Sequence, residues 1–208
     1  MDELELLKKD WKKQESSLPH YKAKELYPML LKKSSSIVKW IFIISIIELG
    51  LGIILNIFMM DDNFWKELEN MHLKTVTIII YCLSYLITGF FIYKFYKNFK
   101  SISTTDNASR LMRNILKTRR VVKHYILYVL ISAGITGLLF FIFTFIYPPE
   151  GIELNPESIN WFKIIAIGVF MITIFLLILW GIYSLVYGIL LKKLKQNYRE
   201  IKKLEMQS

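Results

Sequence analysis

Four long apolar stretches are the feature that most restricts how this chain can fold. They comprise residues 37–60, 75–96, 122–147 and 162–191. As a helix, about 20 apolar residues span the roughly 30 Å hydrocarbon core of a bilayer. Because lipid offers no partners for backbone polar groups, each stretch is predicted to be a transmembrane α-helix. The sequence therefore predicts an all-α, polytopic membrane protein with its four transmembrane helices in a bundle.

The overall composition agrees with a membrane protein. Hydrophobic residues make up 54% of the 208 residues, above the roughly 45–50% that is usual for a soluble domain. The single cysteine, Cys82, excludes an intramolecular disulfide framework and a cysteine-based metal cluster. We expect no cofactor.

Lysine and arginine residues are distributed asymmetrically along the chain. They crowd the segment before the first span, the connection between spans two and three, and the C-terminal tail. The other two connections, "DDNFWKELEN" and "PPEGIELNPESIN", are acidic. Because basic loops stay in the cytoplasm, both termini are predicted to be cytoplasmic. This distribution also explains the net charge of +10 without a nucleic-acid partner.

Two terminal segments flank the transmembrane domain and are expected to be helical. The three parts are a cytoplasmic amphipathic segment, the transmembrane domain and a cytoplasmic tail: residues 1–36, 37–191 and 192–208. Leu4, Leu7 and Trp11 share one helix face in the first segment, and Leu194 and Tyr198 continue a helical spacing in the tail. These five residues are candidate contacts for a cytoplasmic protein partner.

The connection between spans two and three predicts a basic amphipathic helix at about residues 106–120. Its capping candidate lies in "STTDN", residues 103–107. The expected contacts to anionic lipid head groups are Arg110, Arg113, Lys117, Arg119 and Arg120. Two interpretations of the amphipathic segments stay open. They are membrane-surface helices that stabilise the topology, or they form a platform for a protein partner.

Polar residues recur on one face of each predicted span. At 100° per residue the spacings place them toward the bundle interior, where hydroxyl groups can hydrogen-bond across helices. The predicted intramembrane polar core consists of Ser45, Glu48, Asn56, Thr77, Tyr81, Ser84, Thr88, Tyr128 and Ser132.

Glu48 is the one acidic residue in the four spans. Thirteen Ile, Leu and Phe residues between Trp40 and Met60 favour insertion by around 6 kcal/mol. A central charge opposes insertion by only about 3 kcal/mol. With no Lys or Arg at its depth, the carboxyl group is expected to be neutral and to bond a tyrosine or serine of a neighbouring helix. It is either a clamp between helices, or a proton-relay or ligand-binding group.

The predicted positions of the three histidines do not favour a catalytic site. The predicted topology places His20 and His124 toward the cytoplasm and His72 at the outer face. An iron site needs histidines and carboxylates within one small sphere. The "ENMH" spacing, Glu69 to His72, occurs once, whereas di-iron bundles need two copies on inward-facing helices. We therefore predict no catalytic residue and no metal ligand.

The segments "ELELLKKDWKKQ" and "KKSSSIVKWIFIISIIE" (residues 32–48) resemble a family of uncharacterised bacterial four-span membrane proteins. The resemblance implies a bacterial inner-membrane location. Members are sometimes labelled carotene monooxygenases, which implies an iron site for which His20, His72 and His124 are too far apart. Their genes often accompany an alternative sigma factor, which implies a membrane-bound regulator.

From these observations we expect a non-enzymatic regulatory or scaffolding protein whose cytoplasmic helices bind a protein partner. A membrane-embedded oxygenase acting on an apolar, carotenoid-like substrate is one alternative. A small proton-coupled carrier that uses Glu48 is another. Self-association into a homo-oligomer is left open.

Overall fold

The computed structural model describes residue 5 and residues 23–105, 107–148 and 160–207, without the side chains of residues 23–25 and 207. In these ranges the chain forms five α-helices and no strand. They are α1 (Ala23–Met59), α2 (Asp62–Asn70), α3 (Lys74–Ser103), α4 (Ala108–Ile146) and α5 (Trp161–Gln207). All but α2 are long and apolar enough to cross a membrane. The predicted all-α fold with four transmembrane helices is confirmed.

The four long helices pack in a ring. Each neighbour in the order α1, α3, α4, α5 contacts the next, and α5 closes the ring on α1. The start of α1 and the end of α5 therefore meet at one end of the bundle, where Asn197 Nδ2 donates to Ser34 Oγ over 3.1 Å. We call this the basic end, because the lysine-rich and arginine-rich segments lie there, and the opposite end, which carries α2, the acidic end.

The long helices extend well beyond the predicted spans at the basic end. At 1.5 Å per residue, α5 with its 47 residues is about 70 Å long, whereas the hydrocarbon core is about 30 Å thick. The predicted basic helix and span three are one continuous helix, α4, and the tail is part of α5. No Pro or Gly occurs in residues 108–133 or 192–207, so no residue there interrupts either helix.

The buried apolar core lies toward the basic end. Its buried members are Leu30, Ile37, Val38, Ile41, Phe95, Ile102, Leu111, Ile115, Val122, Tyr125, Tyr187, Leu191, Leu194 and Ile201. Nearer the acidic end, large apolar side chains such as Phe58 and Phe162 are more than 80% exposed. This pattern fits a bundle that packs as in water at one end and faces lipid over the rest of its length.

At the acidic end, α2 connects α1 to α3. Asp61 Oδ1 accepts a hydrogen bond of 2.8 Å from the Phe64 N–H and so caps α2. Leu68 of α2 forms a small buried cluster with Met71 and Leu73. The acidic composition of this connection predicted a loop, and helix α2 occupies it instead.

Candidate intramembrane binding site

Glu48 of α1 is bound by two tyrosines of α5. The hydroxyl of Tyr187 donates to Glu48 Oε2 over 2.9 Å, and the hydroxyl of Tyr183 donates to Oε1. Tyr183 and Tyr187 are four residues apart, so both project from the same face of α5. One carboxyl group therefore joins the first and last transmembrane helices.

Three aromatic rings surround the Glu48 carboxyl group. The rings of Tyr183 and Tyr187 stack with centroids 5.8 Å apart and an interplanar angle of 9°. Tyr125 of α4 packs edge-on against both, at centroid distances of 6.2 and 6.0 Å. Tyr125 and Tyr187 are each only 1% exposed. Packing thus fixes the tyrosines that hold Glu48 in place.

A cavity of about 210 Å³ adjoins the carboxyl group inside the bundle, and all four transmembrane helices contribute to its wall. Ten of the thirteen residues that line it carry a hydroxyl, amide or carboxyl group. The polar lining residues are Glu48, Asn56, Tyr81, Ser84, Tyr85, Thr88, Tyr125, Tyr128, Ser132 and Tyr183.

Hydrogen bonds between helices organise this wall. Asn56 Nδ2 of α1 donates to the Tyr85 hydroxyl of α3, and the Tyr128 hydroxyl of α4 donates to Ser84 Oγ over 3.3 Å. The Tyr81 and Tyr85 rings lie nearly parallel, with centroids 6.4 Å apart. The polar groups beside Glu48 are therefore held in position by neighbouring helices.

A second space reaches Glu48 from the lipid side. It is a groove of about 420 Å³ between α1 and α5. Most of its lining is apolar and comes from Ile44, Ile47, Leu51, Leu55, Ile182 and Val186. Glu48, Gly52 and Tyr183 line both the groove and the interior cavity. The carboxyl group thus lies where an apolar, lipid-facing space meets a polar, interior one.

Most of the predicted polar core lines the interior cavity. The members that do so are Glu48, Asn56, Tyr81, Ser84, Thr88, Tyr128 and Ser132. Ser45 is buried away from it and donates to the Phe42 carbonyl within its own helix, over 2.7 Å. Thr77 is buried in the first turn of α3, at the acidic end.

The polar side chains at the site that are outside the predicted set all belong to tyrosines: Tyr85, Tyr125, Tyr183 and Tyr187. The four-residue spacing of Tyr183 and Tyr187 could have placed them on one face of α5. The sequence did not reveal that this face is the one opposite Glu48.

The residues predicted to contact a protein partner have a different environment from the one expected. Leu194 has no exposed surface, because it packs in the core of the basic end, and Tyr198 is half-buried against the same core. Leu194 therefore cannot serve as a docking surface in this packing. Leu4, Leu7 and Trp11 lie outside the described residues.

The basic face of α4 is arranged for contact with the surroundings. Arg110, Arg113, Lys117 and Arg120 are exposed at helical spacing, whereas Arg119 is half-buried. Its Nε is buried and has no hydrogen-bond partner within the described ranges. The opposite face of the helix carries the buried Leu111, Ile115 and Val122.

The histidine and carboxylate positions do not converge on a metal site. Glu69 forms an exposed salt bridge of 2.9 Å with Lys74, and the His72 ring stacks on Tyr147 at 5.0 Å. His124 is an exposed residue of α4. His20 lies outside the described residues. Among the residues that are described, no three His, Cys, Asp or Glu side chains are grouped so that they could hold a metal ion.

Comparison with known proteins gives one match. A family model described as a domain of unknown function (DUF8845) matches residues 24–206. No curated protein and no solved structure matches the chain. The matched range contains the four transmembrane helices, and with them Glu48 and its tyrosines.

Proposed function

The chain belongs to the family described as a domain of unknown function (DUF8845), and we propose that it is a non-enzymatic membrane protein that binds a small ligand at Glu48. The observation that carries the proposal is that the Glu48 carboxyl group borders both the polar cavity and the lipid-facing groove. A ligand in either space meets the same titratable group.

The open volume beside Glu48 favours binding over a purely structural role. A group that only joined helices would gain from close packing, because unfilled volume forfeits dispersion contacts. The Glu48 carboxyl group instead adjoins a cavity of about 210 Å³ whose lining includes several hydroxyl groups. Its two bonds to tyrosine use only part of its acceptor capacity, since a carboxylate offers about four lone-pair sites. The bonds to α5 are thus compatible with a bound ligand.

Binding at this site is coupled to a proton in our proposal. Among the described residues no Lys or Arg forms an ion pair with Glu48, and an unpaired charge in the membrane is unfavourable. A proton or a ligand must therefore neutralise the carboxyl group. Exchange of the proton for a ligand at this carboxyl group is the elementary step of a small proton-coupled carrier or of a proton-coupled receptor.

Labelling with dicyclohexylcarbodiimide tests the proposal. This apolar reagent dissolves in lipid and reacts with protonated carboxyl groups. We expect mass spectrometry of the full-length protein in membranes to find an adduct on Glu48 and none at this position in Glu48→Gln. We also expect Gly52→Leu to reduce labelling, because this side chain fills space lining both the cavity and the groove.

The matched control is Gly50→Leu. Gly50 lies in the same helix, and neither glycine has an atom within 4 Å of an added Cβ. Gly50 lines neither space, so its substitution should leave labelling unchanged. An unlabelled Glu48 in the wild type, or equal protection by both leucines, would contradict the proposal and leave Glu48 as a helix clamp.

We further propose that the protein lies in a bacterial inner membrane with both termini in the cytoplasm. The supporting observation is that the helix ends rich in Lys and Arg all belong to the basic end, whereas α2 and its acidic residues belong to the other. The positive-inside rule relates this asymmetry to orientation.

A second candidate function is a platform for a cytoplasmic protein partner. It is favoured by the basic end, where the helices extend beyond the span length and α4 exposes Arg110, Arg113, Lys117 and Arg120. Purification in mild detergent with and without residues 1–22, which precede α1, tests it. Loss of a specific co-purifying protein on truncation is expected, and an unchanged set of partners would refute the platform.

A further inference from the structure

The groove and the interior cavity beside Glu48 differ in size, and this difference restricts where a ligand can fit. Small-molecule sites usually measure about 300–1,000 Å³. The groove of about 420 Å³ falls in this range, whereas the interior cavity of about 210 Å³ lies below it. The groove must therefore hold the bulk of a ligand. Its lining by Ile47, Leu51 and Val186 selects an apolar body.

The charge at the junction restricts the ligand further. Within the described residues, the single ion pair joins Glu69 to Lys74, so Glu48 has no cationic partner there. An ionised Glu48 in this setting attracts a positive charge and repels an anion. A wholly apolar ligand such as a hydrocarbon would gain nothing from the carboxyl group.

The aromatic rings indicate which kind of cation is suitable. Tyr183 is partly exposed and lines both spaces, and the negative face of such a ring binds weakly hydrated organic cations. Divalent metal ions prefer six or more oxygen ligands with several carboxylates, and Glu48 is the one carboxylate lining the site.

We propose that Glu48 and Tyr183 bind a lipophilic organic cation that reaches the site from the lipid through the groove between α1 and α5. The apolar substituents lie along the groove, and the charged centre lies beside the carboxylate. Binding displaces one proton from Glu48 to water, so the charge of the site is unchanged. This ligand assignment rests on the function proposed above.

Tetraphenylphosphonium is a suitable probe, because its charge is shielded by apolar groups and does not titrate. Equilibrium dialysis of the full-length protein in detergent should find saturable binding of one cation per site. Where Glu48 is protonated in the free protein, affinity should rise roughly tenfold per pH unit, since one proton is released per cation bound. Calorimetry in buffers of different ionisation enthalpy should detect that proton.

Three variants distinguish binding of the cation at the site from its non-specific partition into detergent micelles. Glu48→Gln should weaken binding at least roughly tenfold and abolish its pH dependence, since the variant carries no titratable charge. Gly52→Leu keeps the carboxyl group and should block binding, because the added side chain fills space that lines both the cavity and the groove. Gly50→Leu, on the same helix outside both spaces, should bind like the wild type. Elution as a single species in size-exclusion chromatography verifies that each variant is folded.

The outcomes distinguish this inference from the function on which it rests. Carbodiimide labelling of Glu48 without saturable tetraphenylphosphonium binding would overturn the cation assignment and leave the binding function intact. Binding that Glu48→Gln or Gly52→Leu leaves unchanged would also overturn it. Absence of labelling at Glu48 together with absence of cation binding would contradict both the cation assignment and the proposed binding function.

Discussion

At the scale of single residues, the glutamate in an apolar stretch is explained by the partners it meets on α5. Both Glu48 oxygens accept hydrogen bonds from tyrosine hydroxyls, Oε1 from Tyr183 and Oε2 from Tyr187. A carboxyl group in lipid is unfavourable unless other groups satisfy it. These two bonds reduce that cost and at the same time fix the orientation of the group toward the cavity.

Substitutions of Glu48 should separate the loss of charge from the loss of hydrogen bonds. Glu48→Leu leaves two tyrosine hydroxyls without their acceptor, and each stranded group costs about 1–3 kcal/mol of unfolding free energy. Glu48→Gln keeps an acceptor oxygen and should lose less than Glu48→Leu. Unfolding by denaturant in micelles measures both. If Glu48→Leu is as stable as the wild type, the two bonds do not stabilise the bundle.

A second residue-scale prediction concerns Ser34 and Asn197 at the basic end. Asn197 has no exposed surface, and its Nδ2 donates to Ser34 Oγ. Ser34→Ala should destabilise the protein by about 1–3 kcal/mol, because the buried amide loses its acceptor. Ser36→Ala, an exposed position in the same serine run, should change stability by less than about 0.5 kcal/mol. Equal effects in thermal unfolding would argue against this bond.

At the scale of helices, hydropathy predicted the helix limits correctly at the acidic end of the bundle, but not at the basic end. Helix α1 ends at Met59 and α3 begins at Lys74, each one residue from the predicted limit. At the basic end, α1 begins at Ala23 and α4 at Ala108, both 14 residues before their predicted spans (37 − 23 and 122 − 108). Hydropathy detects the lipid-facing part of a helix, whereas its amphipathic continuation lies outside the apolar window.

The same limit explains the misplacement of Leu194. Its helical spacing with Tyr198 correctly indicated an apolar face, but a single sequence does not reveal whether such a face contacts its own chain or another protein. The structure places this face against α1 and α4 in the buried core. For Glu48, the sequence likewise predicted hydrogen bonding to a neighbouring helix, but not which tyrosines would provide it.

Replacing a core leucine and a lipid-facing leucine of α5 by alanine should change the unfolding free energy by different amounts, because the two side chains lie in different environments. Leu194 is fully buried, and Leu194→Ala should lower the unfolding free energy by about 2–5 kcal/mol through lost contacts and a new cavity. Leu185 is 67% exposed nine residues earlier, and Leu185→Ala removes few contacts within the protein. Denaturant titration of both variants makes the comparison. An equal loss would contradict the assignment of Leu194 to the core.

At the scale of the whole molecule, the proposed binding site lies where the buried core of the basic end meets the lipid-facing part of the bundle. Tyr125 and Tyr187 belong to the buried core of the basic end, and both also surround Glu48. Helix α5 then continues without interruption from Tyr187 to Gln207. A change in how α5 contacts Glu48 can therefore reach the basic end through one rigid element. This continuity connects the proposed ligand site to the candidate platform.

The orientation of the whole molecule gives the last prediction. In a bacterial host, fluorescent protein fused after Ser208 should fluoresce, because we propose that the basic end faces the cytoplasm, where this reporter folds. Alkaline phosphatase at the same position should be inactive, because it needs an oxidising compartment for its disulfides. Insertion of each reporter after Asn70, in the connection at the acidic end, should give the opposite pattern. Active phosphatase at Ser208 would reverse the orientation and place the platform outside the cytoplasm, whereas the proposal for the Glu48 site does not depend on the orientation.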